Sequence, residues 1–118
     1  MTGTTAASQQ VADHNQVRLV GRVSGEPEER RLPSGDRVWA FRVVVAREQP
    51  HGRQRVDALE CAAWSGRTQR SVARWSPGDL VEVEGALRRR FYRTGGGTQS
   101  RVEVEVAAAR IIRRAATA

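Results

Sequence analysis

The sequence predicts an all-β domain, a barrel or sandwich of five short strands with one short helix between the third and the fourth. Three observations carry that expectation. Apolar and polar residues alternate in short runs such as Leu80-Val81-Glu82-Val83-Glu84, the period-two pattern of a strand with one buried face. Turn signals such as Pro33-Ser34-Gly35, Pro50-His51-Gly52 and Gly95-Gly96-Gly97 separate the runs. One stretch alone, Ser65 to about Trp75, suits a helix, with Val72 and Trp75 at i, i+3 and Pro77-Gly78-Asp79 as the stop.

The elements follow in order. Residues 1–14 are small and polar and read as a disordered arm. The first strand is Asn15 to Val23, with Val17, Leu19, Gly21 and Val23 inward and Arg18, Val20 and Arg22 outward. Ser24 to Asp36 reads as a charged connection. The second strand is Arg37 to Arg47; Trp39, Phe41, Val43 and Val45 form its core face, because the opposite face carries Arg42. Glu48 to Gln54 reads as an exposed hairpin loop. In the third strand, Val56 to Trp64, Glu60 marks the solvent face and puts Trp64 on the same side. The fourth strand runs from Leu80 through Arg93, and the Gly95-Gly96-Gly97 turn leads to a fifth, Arg101 to Val106. Ala107 to Ala118 reads as drifting into a polar end, with the domain spanning 15–112 and a short tail at 113–118. Five strands with a helix between the third and fourth is the layout of an OB-fold, a Greek-key barrel.

Composition narrows the partners. The 118 residues suffice for one domain with a modest core. A net charge of +7 favours a polyanionic partner, and all 20 basic residues are arginine, which forks onto phosphates and stacks on bases. Cys61 is the single cysteine, so no internal disulfide forms, and with His14 and His51 the only histidines a structural zinc cluster is excluded. No apolar run reaches the length of a membrane span, and the start lacks the pattern of a secretory signal, so an intracellular, reducing compartment is expected. Nucleophile elbows, zinc spacings and converging carboxylates are missing from the pattern, so no enzyme and no cofactor is expected.

The most informative stretch is Arg88-Arg89-Arg90-Phe91-Tyr92, where a strand changes from aliphatic to guanidinium and aromatic chemistry. Cations neutralise phosphates, and flat rings stack on unpaired bases. Arg88, Arg90 and Tyr92 share the outward parity; Glu82 and Glu84 share it too and would repel DNA from the strand's first half. Trp64 is read as a second stacking ring, ahead of Arg67 at the helix entry, and Arg22 and Arg42 as phosphate contacts on outward parities. Trp39 and Trp75 are read as core, Cys61 as a small core residue, and Arg30 as equally able to pair with Glu28 or Glu29.

These residues resemble the bacterial single-stranded DNA-binding protein family from Asn15 to about Ile112. The similarity is carried by Asn15-Gln16-Val17-Arg18-Leu19-Val20-Gly21-Arg22-Val23, by Glu26-Pro27-Glu28-Glu29-Arg30 with Pro33-Ser34-Gly35, by Asp57 to Trp64, and most closely by Gly78 to Tyr92. The resemblance implies an OB-fold, a homotetramer, and single-stranded DNA bound by rings that fall on Trp64 and Tyr92. The sequence also departs from the family. A third stacking position falls on Ala58, a basic one on Glu60, a loop ring is replaced at best by His51, and Ser65-Gly66 looks like a one-residue insertion. The family's Gly/Pro/Gln-rich tail with its acidic tip is not in this sequence, which ends Arg113-Arg114-Ala115-Ala116-Thr117-Ala118; a truncated chain or a short paralogue would read so.

The expected function is binding of single-stranded DNA without strong sequence preference, in replication, repair or recombination, in the cytoplasm at the nucleoid. Arg22, Arg42, Arg67, Arg88 and Arg90 would contact phosphates, and Trp64 and Tyr92 would stack. The alternatives are a tail-less primosomal accessory resembling replication protein N, an RNA-binding OB domain, or a protein-interaction module, which Ala58 and Glu60 favour.

Overall fold

A computed structural model describes residues 11–49 and 51–116. Most of the expected arm, Pro50 of the expected hairpin loop and the last two residues lie outside the described residues. The strands are β1 (Val17–Val23), β2 (Glu28–Arg31), β3 (Arg37–Ala46), β4 (Val56–Ala63), β5 (Leu80–Thr94) and β6 (Gly97–Arg113). One helix, α1 (Gly66–Val72), stands between β4 and β5.

The sheet order is β1-β5-β6-β4-β3-β2. It closes because β1 turns from β5 to pair Arg22 and Val23 with Val44 and Val43 of β3. Five strands thus form the barrel, with β4 and β6 parallel at Cys61 and Val104 and the other pairs antiparallel. This is the expected OB layout with β2 added on the flank of β3. Asn15 extends the β1–β5 ladder before β1 begins: its amide donates to the Leu87 carbonyl and accepts from the Leu87 N–H, both at 2.8 Å.

The inward parities hold in the barrel, except that Val102, expected inward with Val104 and Val106, is exposed. Val23, Phe41, Val43, Cys61, Ala63, Val81, Val83, Val104 and Val106 form the core with Val72 and Trp75. Trp75 meets Phe41 edge-on, with ring centroids 5.3 Å apart. Trp39 is half-buried and packs against that cluster. Burial pushes the Cys61 thiol up to about 12, so it stays protonated as a core residue.

Three elements differ from expectation. The charged connection after β1 contains β2, all four residues of which are exposed. The helix is shorter than Ser65–Trp75; Ser65 is its N-cap, accepting from the Thr68 N–H at 3.2 Å, and Trp75 reaches the core from a tight turn beyond it. The fifth expected strand, Arg101 to Val106, is the middle of β6, which starts at Gly97 and continues through the expected polar end to Arg113. It continues because an irregularity opposite Glu84–Gly85 rephases it, so that Ala109 and Ile111 pack against the core.

The end of the described chain is tied down by Asp79, 1% exposed. Its carboxylate accepts from the Ser76 N–H at 2.9 Å, the Ala115 N–H at 2.7 Å and the Arg114 guanidinium at 3.2 Å. Burial pushes this carboxyl up, but the Ala115 and Ser76 amides and Arg114 outweigh it, and its pKa lies below the ordinary value. Its stabilisation is therefore full above the ordinary aspartate range and is lost as pH falls through the lowered value. Asp79→Ala leaves the Ser76 and Ala115 N–H groups without their acceptor and should cost about 2 kcal/mol. Thermal melts across the acid range check both points: the loss should be present at neutral pH and vanish in acid, and a gap between parent and variant that ignores pH would refute the linkage.

Candidate nucleic-acid interface

One outward side of the barrel gathers the aromatic and guanidinium groups. A shallow recess of about 200 Å³ is lined by Arg30, Val38, Ala40, Trp64, Arg90, Tyr92 and Arg101, together with Glu60 and Glu103. Trp64 follows the last residue of β4, and β5 carries Arg90 and Tyr92 past it with side chains two residues apart on one face. The Arg90 guanidinium carbon stands 4.9 Å from the Trp64 ring centroid. Trp64 Nε1 and Arg90 Nε are buried there without hydrogen-bond partners. Tyr92 is 42% exposed, and Arg101 from β6 sits 5.5 Å from its ring centroid. The recess thus offers flat rings with cations against them, the chemistry that holds an unstacked base beside its phosphate.

Four of the arginines on this side have carboxylate partners, while Arg101 rests on Tyr92. Arg42 forks onto Glu60 Oε1 with bonds of 2.9 and 2.5 Å. Arg88 Nε meets Glu105 at 2.7 Å, and Arg90 lies 3.5 Å from Glu105 and 3.7 Å from Glu103. Arg30 pairs with Glu28 at 3.5 Å.

The seven residues expected to bind are not all brought together. Trp64, Arg90 and Tyr92 line the recess; Arg88 joins them through Glu105, and Arg42 through Glu60. Arg22 instead donates to the Gly78 carbonyl at 2.9 Å. Arg67 lines a separate cleft of about 400 Å³ with Glu82, Glu84 and Arg110. In that cleft Glu82 is bracketed by Arg110, at 2.7 Å, and Arg18. The Arg110 hydrogen bond, helped by Arg18 and opposed by burial, holds the Glu82 carboxyl below its ordinary range, so its charge stays on but is locally cancelled. Ala58 is exposed on the same side of β4 as Glu60, and His51 is exposed in the loop before β4.

Arg101, Glu103 and Glu105 are the members sequence reading missed. Counting outward in step from the Gly95-Gly96 turn finds them, since it pairs Tyr92 with Gln99, Arg90 with Arg101 and Arg88 with Glu103.

Residues 14–113 match the model of the single-strand binding protein family. The chain is 32% identical over 85 residues to single-stranded DNA-binding protein 3 of Listeria innocua, covering 70% of this chain and 53% of that one. It is 31% identical over 94 residues to single-stranded DNA-binding protein 2 of Streptococcus agalactiae, covering 77% and 71%. The chain spans about half the length of the first curated relatives it matches. The fold is similar to a crystal structure of a mitochondrial single-stranded DNA-binding protein from S. cerevisiae, with a TM-score of 0.66, 15% identity, and coverage of 87% of this chain and 99% of that one.

Proposed function

The chain belongs to the single-strand binding protein family, a family of binding proteins rather than enzymes, and from that premise we propose that it binds single-stranded DNA without strong sequence preference. One observation carries the reading: Trp64 and Tyr92 face one recess, each with a guanidinium against its ring. A ring stacks on any base, so this platform is indifferent to sequence, and adjacent arginines follow the backbone. Arg42, Arg88 and Arg90 are the phosphate contacts at this recess, and Arg22 and Arg67 would serve only a strand that continues around the barrel. The role is cover for transient single strands in replication, repair or recombination, at the nucleoid, with the chain acting as a homotetramer. The exposed Ala58 and the paired Glu60 favour the second reading, a protein-interaction module with reduced DNA binding.

Adding oligo-dT while following tryptophan fluorescence distinguishes the two. Of the three tryptophans, Trp75 is buried and Trp39 packs on the core, so quenching should come from Trp64. Trp64→Phe should keep a stacking ring and remove most of the quenching. The affinity should fall steeply as salt rises. A titration with neither quenching nor a salt-sensitive complex would leave the interaction-module reading standing.

A further inference from the structure

We infer that Glu60, Glu103 and Glu105 set the specificity of this face, by acting as built-in counterions that turn away partners offering phosphate alone. The inference rests on the proposed binding of single strands and deepens it. Three arginines in or beside the recess face three carboxylates: Arg42 on Glu60 at 2.5 Å, Arg88 on Glu105 at 2.7 Å, and Arg90 between Glu103 at 3.7 Å and Glu105 at 3.5 Å. Arg42 and Glu60 are direct cross-strand partners on β3 and β4, whereas the pairs of Arg88 with Glu105 and of Arg90 with Glu103 run diagonally between β5 and β6, each two residues off the direct partner. Glu103 is also the least exposed of the three carboxylates, with 11% of its side chain accessible. Three of the positive charges on this side are thus met by carboxylates.

The physical consequence is an exchange. A phosphate that approaches Arg88 or Arg90 replaces a carboxylate already there, and that carboxylate then stands beside the polyanion and repels it. Charge neutralisation gains little from such a swap. Stacking on Trp64 and Tyr92 does not pass through the exchange, so it becomes the term that decides. Duplex DNA hides its bases and carries the denser charge, one per about 1.7 Å of axis. It meets the repulsion in full and finds no ring to stack on.

The test compares the full chain with Glu103→Gln/Glu105→Gln and with Glu60→Gln, using oligo-dT and a duplex of equal phosphate number at two salt concentrations. Glutamine keeps the shape and the acceptor oxygen, and melting curves verify that the variants fold. The double variant should bind oligo-dT about 3- to 10-fold tighter and the duplex by a larger factor, with a steeper salt dependence for both. Glu60→Gln should do the same to a smaller degree. If the folded variants bind both nucleic acids as the parent does, or more weakly, the carboxylates hold the arginines in place and the inference is wrong. Parent binding to oligo-dT with unchanged variants defeats this inference alone. Absence of binding in parent and variants defeats the proposed function as well, and binding gained only in the double variant supports the inference.

Discussion

Gly85→Ala should lower the melting temperature by about 15 °C, the largest loss expected from adding one methyl group to this barrel. Gly85 lies where the β5–β6 register shifts, Glu84 facing Ala108 and Gly85 facing Val106. A Cβ there would overlap the Glu105 carbonyl oxygen and come within 2.9 Å of its carbon and 3.2 Å of the Val106 Cα. These are backbone atoms of the partner strand, which no rotamer change can move aside. The strand pair must separate locally, in the ladder that carries the core valines Val81, Val83, Val104 and Val106. Such overpacking against backbone should cost about 3 kcal/mol, against a total stability of about 5–15 kcal/mol for a domain. Gly95→Ala is the control, because a Cβ there meets nothing within 4 Å. Circular dichroism melts of the two variants decide the matter: equal melting temperatures would mean that the β5–β6 ladder yields without cost. Gly21 is the same device at the closure of the barrel, where a Cβ would overlap the Val44 carbonyl oxygen and lie 2.9 Å from Val43 Cγ1.

Close approaches of this kind are invisible in a sequence, whereas the strand faces were not. Alternation told inside from outside for β1, β3, β4 and the first half of β5, since one charged residue on a face, such as Arg42 or Glu60, is enough to set the phase. Glu28–Arg31 has no apolar residue at all, so β2 left no pattern; its backbone pairing with β3 holds it. Ala107-Ala108-Ala109 gave no phase either, and the irregularity there is what turns Ala109 and Ile111 inward. The interface shows the deeper limit. Parity places a side chain outside a barrel but not on which side of the cylinder. Arg22 and Arg67 are outward as expected, yet they sit at Gly78 and in the Glu82–Arg110 cleft and not at the recess. Joining Arg90 to Trp64 required the register of β4, β6 and β5 together, and so did pairing Arg88 and Arg90 with Glu105.

Tyr92→Ala should weaken oligo-dT binding by about 10- to 100-fold while leaving the melting temperature near that of the parent. The ring lies on the part of β5 beyond the core, with 42% of the residue exposed. Its removal therefore opens no core cavity, and what it loses is a stacking platform worth about 1–3 kcal/mol per base. No other ring takes over the stacking there, because Ala58 supplies none on the same side. Arg101 would be left without the aromatic face it rests on and free to contact phosphate, which keeps the loss below that of abolished binding. Tyr92→Phe separates the ring from its hydroxyl and should bind as the parent does. Trp39→Leu should behave in the opposite sense: it thins the packing around the core cluster, lowering stability, and leaves the recess intact. Fluorescence titration and thermal melts of the three variants together give the answer. If Tyr92→Ala and Trp39→Leu lose affinity equally, the recess is not where bases stack; if Tyr92→Phe falls with Tyr92→Ala, the hydroxyl and not the ring is the contact.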